Sequence, residues 1–262
     1  MKPAICIEMV YPNDDFITRI EKIGNHGFDN IEFWGWRDKD IAAFEAKLKE
    51  KGMSVVNFSA QRVGDLVDHT THQTLLDDYK DALEAAKQLG TKTLMVLTNE
   101  LGDGGFVVNA FENLSYEEKR ASLIAGVKKM LEMTPNDMNI VVESLNTVKD
   151  HMGYFLFSIP EAVEIAKEIN DPRFKVLFDL YHQGMMGDDL ETLIKENIDY
   201  IGYFHVADFP GRGEPGTGEG NWVSILRTIR NSGYKGYVGF EYQPSGDDDK
   251  SLVAIKELWD SL

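Results

Sequence analysis

Short apolar runs alternate with longer amphipathic stretches from one end of this 262-residue chain to the other, and that alternation narrows the fold more than any single motif does. The apolar runs fall at 4–9, 30–34, 54–60, 93–98, 139–145, 175–179, 201–205 and 237–242. Helical periodicity fills 15–26, 39–51, 72–89, 116–133, 159–169, 189–196, 221–232 and 250–262. Runs such as TLMVLT (93–98) and IVVES (140–144) show no polar alternation, so they read as strands buried on both faces, as in a parallel sheet covered by helices. Eight strand-then-helix units of about 33 residues, with no Pro/Ser-rich linker, predict an α/β fold: a single-domain (β/α)8 TIM barrel over 1–262. An open doubly wound sheet of six or seven strands is the alternative.

The helix ends carry matching signals. Ser115 with Glu118, and Ser158 with Glu161, have capping-box spacing, and Pro160 suits a first turn. Gly27, Gly52, Gly90 and Gly233 follow helical patterns, as left-handed C-terminal caps do. The long connections, 61–71, 99–114, 146–157 and 207–220, all come after strands. In a βα barrel those loops form the active face.

Composition narrows the partners. A net charge of −17 opposes non-specific attraction to nucleic acid or anionic membrane, and no apolar run reaches membrane-spanning length. The single cysteine, Cys6, excludes an internal disulfide and reads as a small buried hydrophobe. The N-terminus lacks a cleavable export pattern, so the expectation is a cytoplasmic protein acting on a small molecule.

Four of the apolar runs end in an acid or an imidazole: Glu143, Asp179, His205 and Glu241, at predicted strands five to eight. Neighbouring strand ends of a barrel bring such residues to one rim. Three carboxylates and one imidazole suit a hard or borderline divalent cation, Mn²⁺ or Mg²⁺ first, with Co²⁺ or Zn²⁺ as alternatives; a thiolate site lacks its cysteines. Taken singly, a strand-end acid is as well explained as a helix cap.

The segments VESLN (142–146), FDLYHQG (178–184), HVADFPGRGEPGTGEGNW (205–222), GYVGFEYQP (236–244) and GFDNIEFW (27–34) resemble the hydroxypyruvate isomerase branch of the xylose isomerase-like TIM barrels. That superfamily also holds ketose 3-epimerases, inosose dehydratases and endonuclease IV. The resemblance implies that Glu143, Asp179, His205 and Glu241 bind a metal, and that His182 and Arg212 touch substrate. An isomerase of this kind moves a carbonyl between adjacent carbons, which requires removing and returning a proton through an enediolate. Glu143 and Glu241, from strands lying across the site, are the expected acid/base pair. Hydroxypyruvate to tartronate semialdehyde is the expected reaction, with a ketose 3-epimerase and then an inosose dehydratase-like lyase as alternatives. An endonuclease IV-like repair enzyme fits the acidic charge and the shortage of histidines poorly, and a non-catalytic sugar-binding protein is the bland reading. A homo-oligomer is a further expectation from the resemblance.

Other residues carry weaker signals. Arg212 lies in a glycine-flanked loop, where the backbone can approach a ligand closely, and can grip a carboxylate. Arg62, Lys149 and His151 are further loop cations, the first two read as solvated. Phe33, Trp34 and Trp36 either wall the pocket at the mouth of the second strand or pack their loop against its helix. His69 and His72 are expected at the surface, and Glu219 is expected to brace its loop or the substrate.

Overall fold

The computed structural model describes residues 1–61 and 63–262, so Arg62 lies outside the described residues. Its strands are β1 (Lys2–Cys6), β2 (Asn30–Phe33), β3 (Ser54–Ser59), β4 (Thr93–Val96), β5 (Asn139–Glu143), β6 (Phe174–Asp179), β7 (Ile201–Val206) and β8 (Tyr237–Phe240). They pair in parallel and in chain order, and β8 pairs with β1 to close a barrel. Closure is what separates this fold from the open-sheet alternative. The surrounding helices are α1 (Phe16–Asn25), α2 (Ile41–Lys51), α3 (His72–Leu89), α4 (Tyr116–Met133), α5 (Ile159–Ile169), α6 (Leu180–Met185), α7 (Leu190–Asn197), α8 (Trp222–Asn231) and α9 (Asp248–Asp260). Among the described residues no helix is long and apolar enough to cross a membrane.

Side-chain alternation divides the core in two. Ala4, Val56, Met95, Val141, Leu177 and Tyr203 form a small cluster of their own, one residue from each of six strands. Their chain neighbours, such as Ile5, Val142, Val176 and Phe204, join the large cluster that also takes in the helices. Strand side chains alternate, so the small cluster fills the barrel and the large one lies between sheet and helices. Two residues beyond Val141, Leu177 and Tyr203 come Glu143, Asp179 and His205. The period of two therefore aims the polar side chains inward, one layer above an apolar plug.

Local chemistry explains most helix boundaries. Ser115 and Glu118 form the predicted capping box of α4. Ser158 makes no cap bond to α5, and Glu161 instead accepts from the Tyr116 hydroxyl at 2.6 Å, so the second predicted box does not form. Gly52 and Gly90 end α2 and α3 with φ of 67° and 71°, a region open to glycine at no steric cost. β1 begins and ends before its predicted span, and β4 and β8 end early, because ladder pairing stops before the apolar run does. The helix α6 is not foreseen by periodicity. Six residues are too few to show it.

Candidate metal centre

Asp179 ends β6 and starts α6, and its two oxygens divide the work. Oδ1 caps the helix by accepting from the backbone N–H groups of Tyr181 (2.8 Å) and His182 (3.2 Å). Oδ2 turns into the barrel mouth, 3.9 Å from His205 Nδ1. The cap also sets His182 one turn along, which is why the D-x-x-H spacing matters. Register places Asp179 opposite His205 on β7. Glu143 Oε1 lies 3.1 Å from His205 Nδ1, and Glu241 Oε2 lies 3.7 Å from the same nitrogen. One ligand atom from each of Glu143, Asp179, His205 and Glu241 lies within 4.8 Å of all the others, and all four residues are buried. The four predicted strand-end residues thus converge on one point.

The electrostatics fit a dication. Burial and the neighbouring Glu143 charge push Asp179 up to about 7, so its ionised form is disfavoured among these side chains. Burial opposes charge on His205, yet Glu32 and Glu241 hold it well above the ordinary imidazole range. Burial works against ionised Glu241 too, but Arg212 and His205 keep it below the usual carboxylate range. Hard oxygen donors with one imidazole are a donor set that a divalent cation satisfies, and it would offset the excess buried negative charge.

The surrounding shell holds several residues that the strand-end pattern does not reveal. Glu32 on β2 is buried, and its Oε2 lies 3.2 Å from His205 Nε2. Its other oxygen has no partner. Trp34 Nε1–H donates to Glu241 Oε1, and Arg212 Nη2 donates to Glu241 Oε2 at 2.6 Å. The Trp34 indole therefore belongs to the site, whereas Phe33 stacks on Phe58 in the core and Trp36 packs outside it against Arg37. The signal for Glu32 was present in the sequence as an acid inside an apolar run.

His182 is fully buried, 3.5 Å from Asp179 Oδ2, and Asn146 Nδ2 meets its Nδ1 at 2.7 Å. Arg212 lies over the Tyr181 ring, 5.1 Å from its centroid. Both predicted substrate-binding residues therefore border the cluster. His151 is buried beside His182, with its Nδ1 2.6 Å from the Gly105 carbonyl. Lys149 is exposed and donates to the Pro210 carbonyl at 3.0 Å, a tie between loops.

Three expectations change. The glycine-rich loop of 211–220 does not hold its N–H groups ready for a ligand: the Asp208 carboxylate accepts from Gly216 (2.7 Å), Gly218 (2.9 Å) and Gly220 (3.0 Å), and from Phe209 (2.9 Å). Glu214 rather than Glu219 braces this loop, accepting from Ser245, while the Glu219 side chain is exposed. His69 is exposed as expected, but His72 is buried, with Nε2 3.2 Å from the Leu66 carbonyl and 3.1 Å from Ser122 Oγ and Nδ1 making no hydrogen bond.

The profile of a family described as xylose isomerase-like TIM barrel matches residues 20–259. The chain belongs to that family. Among curated relatives, the hydroxypyruvate isomerase of Escherichia coli (strain K12) is 27% identical over 254 residues, covering 94% of this chain and 95% of the relative. The 2-oxo-tetronate isomerase of Pectobacterium atrosepticum is 25% identical, covering 96% and 95%. A crystal structure titled AP endonuclease, family 2, from Brucella melitensis superposes with a TM-score of 0.88 at 27% identity, covering 98% of each chain. A D-psicose 3-epimerase structure with D-tagatose from Clostridium cellulolyticum H10, at TM-score 0.79 and 19% identity, covers 99% of this chain and 92% of its own and shares the fold. The family assignment agrees with the barrel and with the resemblance seen in the sequence motifs.

Proposed function

We propose that this chain is a metal-dependent isomerase that moves a carbonyl between adjacent carbons of a short 2-oxo acid, with hydroxypyruvate to tartronate semialdehyde as the reaction. The isomerase class is carried by nearly full-length relatives named for it. The finer reading rests on one observation: three buried carboxylates and His205 close on a single point, with Arg212 and His182 on its border.

Glu143, Asp179, His205 and Glu241 would hold the metal, Mn²⁺ or Mg²⁺ first. Bound there, it would act as a Lewis acid toward negative charge developing on the substrate oxygens. Glu143 and Glu241 reach the site from β5 and β8, with β6 and β7 between them. One takes the proton from the carbon beside the carbonyl and the other returns a proton to the neighbouring carbon. Trp34 and Arg212 engage both oxygens of Glu241 and so aim it. Arg212 also offers a planar cation to the substrate carboxylate, which both relatives' names suggest is present. Burial of the cluster excludes water from the enediolate.

Stripping the protein of metal, reloading it with Mn²⁺ or Mg²⁺ and following hydroxypyruvate in deuterated buffer tests the reading. Metal-dependent deuterium uptake with formation of the semialdehyde is expected. Glu143→Gln and Glu241→Gln should each lower turnover by at least about a hundredfold. Near-normal turnover in either variant removes that residue from the chemistry, and exchange confined to free ketoses would shift the reading to an epimerase.

A further inference from the structure

The loop after β5 carries a side chain that decides where the His182 ring keeps its proton. Asn146 is fully buried, and its Oδ1 accepts from the backbone N–H groups of Lys149 and Asp150, both at 3.1 Å. Those two donors fix the amide's orientation, since the opposite one would set an NH2 group against two N–H groups. Nδ2 then faces Asp150 Oδ2 at 2.8 Å and His182 Nδ1 at 2.7 Å. Its two hydrogens meet two acceptors, so His182 Nδ1 accepts and the ring proton sits on Nε2. Asp150 is itself held, because it accepts from the Tyr181 hydroxyl at 2.8 Å. Nε2 makes no hydrogen bond although the residue is fully buried; the Asp179 Oδ2 oxygen, 3.5 Å away, lies outside hydrogen-bond geometry. A buried donor left unmade is costly in a folded protein, and an orphan aimed into a site points to a ligand atom.

We infer that Asn146 is a positioning residue that sets the His182 tautomer, leaving Nε2–H as a donor for the substrate oxygen that gains charge in the reaction. The inference rests on the isomerase reading for the identity of that oxygen. A neutral donor stabilises an enediolate oxygen without protonating it outright, and it adds no positive charge beside Arg212.

Long-range ¹H–¹⁵N correlation spectra of the ¹⁵N-histidine protein, with His182 assigned by comparison with His182→Asn, report the tautomer directly. The native protein should show a neutral His182 protonated on Nε2. In Asn146→Asp, where a carboxylate replaces the amide donor, the ring should carry a proton on Nδ1. The same variant should lose about a hundredfold in kcat, with KM changed by less than about threefold. An imidazolium or an Nδ1–H tautomer in the native protein at neutral pH overturns the inference without any variant having to fold. A flipped or charged ring in Asn146→Asp with undiminished kcat overturns it as well. The spectra need no turnover, so a native protein with the Nε2–H ring that exchanges no substrate proton would fell the isomerase reading and leave the role of Asn146 in setting the tautomer intact.

Discussion

At the scale of single residues, the site is controlled by side chains one step removed from the four that converge. Glu32 is the clearest. His205 presents Nδ1 to Glu143, Asp179 and Glu241, and Nε2 to Glu32. A carboxylate on the far nitrogen keeps Nε2–H in place, so that Nδ1 is the lone pair available to a cation. Glu32→Ala should therefore weaken metal binding by about 10- to 100-fold, while Glu32→Gln, which keeps an acceptor, should recover most of it. Chelator competition on both variants measures this. Equal affinity in the native and alanine proteins would mean that the ring is oriented by packing alone. The four converging residues were legible because each interrupts an apolar run at a strand end. Glu32, Asn146 and Tyr181 close no apolar run. Their importance lies in contacts between elements far apart in sequence, such as the 173 positions between Glu32 and His205.

At the scale of elements, the strands are legible in the sequence and the loops are not. Apolar runs fix which residues face a core, and all eight predicted strands appear, with shifts of a few residues at their ends. A loop is decided by hydrogen bonds that periodicity does not encode. The segment after β7 illustrates this: its glycines let the backbone come close to a ligand, yet the Asp208 carboxylate occupies three of their N–H groups. Arg212 leaves this loop with φ of 58°, a conformation that costs a residue with a Cβ about 1–2 kcal/mol. The frame that imposes it includes two backbone bonds, Asp208 N–H to the Gly213 carbonyl and Gln243 N–H to the Arg212 carbonyl. Asp208→Ala would strand four N–H donors at once. We expect a stability loss of about 2–4 kcal/mol in urea denaturation, together with, on the isomerase reading proposed above, at least about a tenfold rise in KM for hydroxypyruvate as Arg212 loses its position. A variant with unchanged KM would show that the side chain of Arg212 is held by Glu241 and Tyr181 without help from the loop. β8 contributes a quieter device: a Cβ on Gly239 would strike the Glu32 carboxylate, so the missing side chain there is what lets Glu32 lie beneath His205.

At the scale of the whole molecule, four neighbouring strands each deliver one candidate ligand, and β8 is also the strand that closes the barrel on β1. The four candidate ligands meet only when these strands pair, so metal affinity becomes folding free energy. Free metal at a hundred times its Kd should stabilise the protein by about 2.7 kcal/mol, which for a chain of this size raises Tm by roughly 5–10 °C. A net charge of −17 complicates the measurement, because any dication also screens the repulsion among 44 acidic side chains. Two comparisons separate the effects. Sodium chloride matched for ionic strength reproduces screening but not coordination, and Asp179→Asn removes one ligand while changing the net charge by one unit in 17. Calorimetric scans should show one transition that rises with Mn²⁺ in the native protein, rises far less with matched salt, and loses most of the metal-specific rise in Asp179→Asn. If matched salt gave the full rise, or the variant kept it, the buried carboxylates would be responding to charge in general, and the convergence of β5 to β8 would have to be explained without a bound cation.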